Sequence, residues 1–260
     1  MKRTHVTVTS LNVNGMRATV RHGFQKWRAR QKTDVYCLQE LRIQPDQMQK
    51  EHRAPRGWSV CQMDAEKKGY SGVAIWTRLP VLGQSVGCGL DWADREGRMV
   101  RMDLEDLTVV SLYLPSGSSG DERQALKESF MDYFLEVTQG LLDEGRPTVI
   151  CGDFNIAHTP QDIHNPTGNK KNSGFLPHER EWMTRLLEQG WVDVFRALNP
   201  DTQVYSWWSN RGQARAKDRG WRIDYQIATP DLAARAEEAW IEGPDRKLSD
   251  HAPVSVRYRL

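Results

Sequence analysis

The 260-residue chain lacks a long apolar run, has four cysteines, and its charges almost cancel. No stretch approaches the roughly 20 apolar residues that a membrane-spanning helix needs. Met1–Val8 is positively charged but too poor in apolar residues for a secretory leader. Cys37, Cys61, Cys88 and Cys151 form no CxxC pair and no zinc-type spacing. Cys37 and Cys151 sit inside apolar runs, where cysteine behaves as a small buried hydrophobe. A cytoplasmic protein of a reducing compartment, without a membrane role, is expected. Thirty-six Lys and Arg against 34 Asp and Glu leave a net charge of +2. That balance excludes a uniformly basic polyanion binder and an acidic solvating tail. Repeats of about 20–50 residues, low-complexity stretches and interdomain linkers are also missing, so residues 1–260 are expected to form one domain.

The chain is 38% hydrophobic and 9% aromatic, enough for a sizeable core, and its ten tryptophans also offer stacking surfaces. Seven β-rich runs predict strands at His5–Leu11, Asp34–Leu38, Gly72–Trp76, Thr108–Leu114, Thr148–Cys151, Ile223–Ala228 and Val254–Tyr258. Leu126, Phe130, Phe134, Val137 and Leu141 recur at helical spacing within 122–142. Trp182, Met183, Leu186 and Leu187 do the same within 179–188, with Gly190 as a stop signal. Strands spread along the chain with few helices between them suggest two packed sheets flanked by helices.

Several predicted strands end in groups able to do chemistry: Asn12 and Asn14, Glu40, Tyr113, Asp153 and Asn155. A sheet fixes the positions of such ends. After Thr148–Cys151, Asp153 and Asn155 stand two apart, which on an extended chain puts them on one face. A carboxylate can orient or deprotonate water there, and an amide can donate to a phosphate oxyanion. An Asx turn closing the strand explains the same residues equally well. Glu40 is either a surface charge or, joined by Asn12, Asn14 and Asp250, part of an oxygen-rich cation site suited to Mg²⁺ or Mn²⁺. Ser249, Asp250 and His251 are sequence neighbours whose side chains diverge, so they make no hydrolase triad. His251 needs a carboxylate from elsewhere, and Asp224 is the best candidate. Tyr113 reads as a packing residue or as a site phenol.

The segment 205–222, YSWWSNRGQARAKDRGWR, holds five cations against Asp218, a local +4, bracketed by Tyr205, Trp207, Trp208 and Trp221. Cations meet phosphates while aromatic faces meet bases or sugars. The other reading is a basic loop over buried tryptophans. Arg17, Asn169, Lys170, Lys171 and Asn172 add candidate phosphate contacts.

Six motifs stand in order: Leu11-Asn12-Val13-Asn14-Gly15, Leu38-Gln39-Glu40, Tyr113-Leu114-Pro115-Ser116-Gly117, Gly152-Asp153-Phe154-Asn155, Trp221-Arg222-Ile223-Asp224-Tyr225 and Ser249-Asp250-His251. Together they resemble the exonuclease III family of apurinic/apyrimidinic (AP) endonucleases, within the endonuclease/exonuclease/phosphatase superfamily, over nearly the whole chain. The resemblance implies a four-layer α/β sandwich in which two central mixed sheets are flanked by helices. It implies Mg²⁺-dependent phosphodiester hydrolysis in duplex DNA, incising 5′ to abasic sites, with 3′→5′ exonuclease and 3′-end repair. By that likeness Tyr113, Asp153, Asn155, Asp224 and His251 are catalytic. Asn12, Glu40, Asp153, Asn155, Asp250 and His251 surround the metal. Arg17, Asn169, Lys171, Asn172, Trp207, Arg211 and Trp221 face DNA, with Ser173 and Gly174 leaving room for a flipped sugar. The implied partner is DNA with abasic or 3′-blocked lesions, bound by a monomer. Asn14 stands where some members carry Asp, and Ser116 where several carry a longer amide.

Two other functions compete. A non-catalytic nucleic-acid-binding regulator would have lost part of the acidic set, which is present. A phosphoinositide- or sphingomyelin-cleaving relative would show a membrane-inserting apolar loop, whereas 205–222 is basic.

Overall fold

A computed structural model describes residues 3–53, 55–245 and 247–260; Met1 and Lys2, the start of the segment read as leaderless, lie outside them. The described residues contain strands β1 (His5–Asn12), β2 (Val35–Gln39), β3 (Ser59–Met63), β4 (Val73–Thr77), β5 (Val81–Val86), β6 (Met99–Leu104), β7 (Thr108–Tyr113), β8 (Thr148–Asp153), β9 (Val192–Asp193), β10 (Asp224–Ala228), β11 (Ala236–Ile241) and β12 (Val254–Arg259). They form two six-stranded sheets, ordered β11-β12-β1-β2-β4-β3 and β5-β6-β7-β8-β10-β9. Both sheets are mixed. β1 runs parallel to β2 and β7 parallel to β8, while the other neighbours are antiparallel.

All seven predicted strands are present, each bound within two residues of expectation. Of the five strands without a sequence signal, four (β3, β5, β9 and β11) are the edges of the sheets. Edge strands carry polar and charged residues that discourage further pairing, as the paired glutamates of β11 do, and this erases the alternation that marks a strand. β6 escapes notice for another reason. Its Arg101 and Asp103 break the apolar run but pair with each other at 2.9 Å.

Alternation sorts the side chains into layers. Val6, Val8, Val35 and Cys37 of one sheet meet Val100, Met102, Val109, Val149 and Cys151 of the other in a central core. The outward-facing Val110, Leu112 and Ile150 pack under the long helix Asp121–Asp143 and the helix Pro177–Glu188. Helices Met16–Arg21 and Phe24–Arg30 cover Tyr36, Leu38 and Trp76 on the opposite side. The result is the helix–sheet–sheet–helix sandwich. Its long helix is turned from expectation: Lys127, Phe130, Met131, Phe134, Leu135, Thr138 and Leu141 are buried, leaving Leu126 and Val137 half-buried.

Parallel pairing aligns strand ends. Asn12 sits opposite Gln39, and Tyr113 opposite Asp153, so the C-terminal ends of β1, β2, β7 and β8 deliver polar groups to one rim. On the adjoining loops, Arg222 is buried between Asp162 and Asp193, with contacts of 2.7 Å to each, and Arg196 also reaches Asp162 at 2.7 Å. Burial works against the Asp162 charge, but the two arginines outweigh it and hold the carboxyl at about 2, below its ordinary 3.8. The stabilisation is therefore complete above pH 3.8 and lost as pH falls through about 2. It amounts to about 2 kcal/mol. Asp162→Asn is expected to destabilise the fold by about 3–5 kcal/mol at pH 6, because Arg222 loses a buried counter-charge. The variant should also show a shallower loss between pH 4 and pH 2. Urea unfolding at these pH values checks it, and parallel pH slopes for the two proteins would refute the assignment.

Candidate active site

The rim residues converge around one amide. Asn12, the last residue of β1, donates from Nδ2 to Glu40 Oε1 and to Asp153 Oδ2, both at 2.8 Å. Its Oδ1 accepts the Asn14 backbone N–H at 2.9 Å, so the amide orientation is fixed from both ends. Glu40 follows β2 with φ of 51°, and Asn14 and Asn155 have φ of 43° and 50°. Non-glycine residues in left-handed backbone are strained, and such strain gathers where side chains must be aimed. Asn155 N donates to Asp153 Oδ1 at 2.8 Å, the predicted Asx contact, while its Nδ2 donates to the Leu114 carbonyl at 2.9 Å and keeps a second N–H. The turn and the chemical readings of this pair are compatible.

On the facing side, His251 Nδ1 lies 2.9 Å from Asp224 Oδ2, and its Nε2 lies 3.8 Å from Asp153 Oδ2. The partner inferred for His251 is in place. Ser206 Oγ also donates to Asp224 Oδ2, at 2.7 Å. Burial opposes the imidazolium, but Asp224, then Asp153 and Asp250, raise it to about 10, so the ring is a cation at neutral pH. Burial, Asp224 and Glu40 push Asp153 up to about 7 against the pull of His251. Asp250 keeps its charge despite burial because His251, Asn14, Ser249 and Trp207 lower its pKa. Tyr113 is buried beneath Arg98, whose guanidinium lies 4.6 Å from the ring. Burial and then Glu40 raise the phenol well above its usual range, so it remains a donor.

Glu40, Asp153 and His251 each bring a ligand atom within 4.8 Å of the others. Two buried carboxylates bridged by one amide offer hard oxygen donors, which fit a hard divalent cation. The Glu40 and Asp153 oxygens meet that need best. A charged imidazole serves as a donor rather than a ligand. Asp250 is not one of the three groups that converge; its oxygens accept from Asn14 at 2.8 Å and Trp207 at 3.3 Å.

These groups open into a cavity of about 890 Å³, also lined by Ser116, Lys171, Asn172, Ser173, Gly174, Trp207, Arg211 and Trp221. Trp207 and Trp221 meet edge to face with centroids 6.0 Å apart, forming a corner beside His251. Arg17 and Asn169 do not line it. Asn169 instead braces its own loop, bonding the carbonyls of His164 and Asn165. The local +4 of 205–222 overstates what faces outward. Arg222 is in the buried ion-pair network, and Arg215 binds the carbonyls of Pro244 and Ser249 while stacking on Trp208. Tyr205 and Trp208 are buried, so the two readings of the segment divide its aromatics between them.

Sequence reasoning passed over Arg42, Tyr70 and Arg123, all of which line the cavity. Arg42 pairs with Glu40 Oε2. Tyr70 accepts from Arg98 and Arg123, whose guanidinia share Glu96. The cation two residues after Glu40 is a signal that could have found Arg42. The Tyr70 cluster draws on three distant segments and leaves no local trace.

Residues 9–251 match the endonuclease/exonuclease/phosphatase family. The chain is 39% identical over 253 residues to an exodeoxyribonuclease of Bacillus subtilis (strain 168), covering 95% of this chain and 97% of that protein. It resembles the structure of an AP endonuclease from Archaeoglobus fulgidus at TM-score 0.88 and 27% identity, covering 97% and 99% of the two chains. A Neisseria 3′ phosphatase bound to product DNA hairpin matches at TM-score 0.89 and 26% identity, over 97% and 99%.

Proposed function

The chain belongs to the endonuclease/exonuclease/phosphatase family and is an exonuclease III-type DNA repair nuclease; from that premise we propose that it uses Mg²⁺ to incise duplex DNA 5′ to abasic sites and to process 3′ ends. The observation that carries this reading is the bridge of Asn12 between Glu40 and Asp153, carboxylates from two different sheets, facing a charged His251. Such a site attacks a phosphodiester. Asp153 orients the water and takes its proton. His251 Nε2–H, the second Asn155 N–H and the Tyr113 hydroxyl donate to phosphate oxygens as charge develops there. Asp224 holds the His251 ring and its charge. Glu40 and Asp153, with Asn12 positioning both, would hold the ion, which when bound supplies Lewis-acid stabilisation of that charge.

The Trp207–Trp221 corner suits a flipped abasic sugar, for which unstacking is cheapest because no base is lost from the stack. Lys171 and Arg211 on the rim suit the flanking phosphates. The constellation needs no residue from a partner, so residues 1–260 are read as a single catalytic domain able to act as a monomer. No helix among the described residues is long and apolar enough to cross a membrane.

Three labelled duplexes test the reading: an internal abasic site, a blocked 3′ end and a plain recessed 3′ end. Nicking of the abasic duplex should vanish in EDTA and return with Mg²⁺ or Mn²⁺. Binding without cleavage under either ion would overturn the proposal.

A further inference from the structure

Lys127 and Glu179 form an ion pair with both side chains fully buried, Nζ to Oε1 at 2.6 Å. They come from the two helices that cover one sheet, Asp121–Asp143 and Pro177–Glu188. For holding helices together such a pair is a poor device. Withdrawing two charges from water offsets most of their attraction, and apolar residues of similar volume stabilise as well or better. The other bonds of the pair point to a different task.

Lys127 Nζ also donates to the Asn155 carbonyl at 2.9 Å, pinning from behind a residue in left-handed backbone. Glu179 Oε2 accepts the N–H groups of Gly174 at 2.6 Å and Leu176 at 3.0 Å. Its Oε1 lies 3.2 Å from Gln124 Nε2. Gly174 is the wedge between two parts of the cavity. Its carbonyl accepts from Ala157 N at 2.8 Å, and a Cβ there would stand 3.0 Å from both the Asn155 carbonyl and the Trp221 ring. One member of the pair therefore fixes Asn155, and the other fixes the segment on which Trp221 rests.

We propose that Lys127 and Glu179 are a positioning pair that sets the gap between the Asn155 amide and the Trp221 wall, the space in which the sugar-phosphate at the cleaved bond is seated. The proposal rests on the nuclease reading above. Neither residue touches substrate. Arg211, proposed above to meet a flanking phosphate, lines the cavity from a separate segment, so loosening the gap affects the chemical step more than duplex binding.

Each single substitution strands a buried charge, so the test uses the double variant Lys127→Met/Glu179→Gln. It preserves volume and an acceptor for Gly174 N–H but leaves the Asn155 carbonyl without its cationic donor. Thermal unfolding of the double variant should match that of the unaltered protein within a few degrees. Its kcat on the abasic-site duplex should fall by about 10²-fold, the effect of a misplacement of about 1 Å, with KM little changed. The ratio of abasic-site incision to 3′-phosphate removal should shift as well. Full kcat at native stability would overturn the proposal, and so would a joint fall of kcat, KM performance and stability, which marks a merely structural pair. If the unaltered protein cuts neither substrate, the nuclease reading fails and the positioning role falls with it.

Discussion

Asp153→Asn is expected to slow strand cleavage by about 10²–10⁴-fold, the usual contribution of a positioned general base. The amide keeps the shape of the side chain but cannot take a proton from water. The fold should survive, because two effects on stability oppose each other. The folded carboxyl, raised to about 7 from 3.8 by burial, Asp224 and Glu40, is less willing to ionise than in the unfolded chain. Its charge therefore weighs against folding at neutral and higher pH, and the amide removes that burden. Against this, an amide oxygen replaces two acceptors, so one of the bonds from Asn12 and Asn155 is lost. A melting temperature within a few degrees of the unaltered protein, together with the lost rate, would place Asp153 in the chemistry. Single-turnover cleavage of a labelled abasic duplex decides it: a rate within tenfold of the unaltered protein would remove Asp153 from the reaction.

The second large loss is expected for Asp224→Asn, about 10²–10³-fold at pH 8, in the range of a lost oxyanion donor. The cause differs. Asp224 is the main group raising His251 to about 10 against burial. Without its charge the imidazole pKa falls toward 6.5, and above that pH His251 is neutral and donates more weakly to phosphate. The deficit relative to the unaltered protein should thus shrink as pH is lowered through 6.5, a ratio in which the shared protonation of Asp153 cancels, whereas His251 in the unaltered protein stays charged to about pH 10. Following the His251 ring resonances by NMR reports its titration directly. An unshifted midpoint in the variant would show that the 2.9 Å contact with Asp224 does not govern the ring.

Much of this arrangement was legible in the residues because the strands that bear it are central. β1, β2, β7, β8 and β10 are rich in β-formers, buried on nearly every residue, and carry polar groups at or just beyond one end, so Asn12, Glu40, Tyr113, Asp153 and Asp224 announce themselves. What stayed hidden depends on tertiary contact. The left-handed backbone at Asn14, Glu40, Arg42 and Asn155 has no glycine to signal it. Arg222 reads as a surface cation until Asp162 and Asp193, distant in sequence, are seen around it. Lys127 misled the helical pattern for the same reason: a lysine on the inner face of a helix makes sense only once Glu179 is present. The edge strands followed the rule that exposed β-structure disguises itself.

β1 lies in the interior of its sheet, between β2 and β12, in register from His5 opposite Arg259 to Ser10 opposite Val254. Synthesis reaches β12 some 240 residues after β1. Until then the strand that bears Asn12 has one flank open, and the loop that brings His251 does not yet exist. The nuclease is thus assembled by the last few peptide bonds of this stretch. A chain stopped before residue 251 carries the Glu40 and Asp153 carboxylates but no histidine to set opposite them.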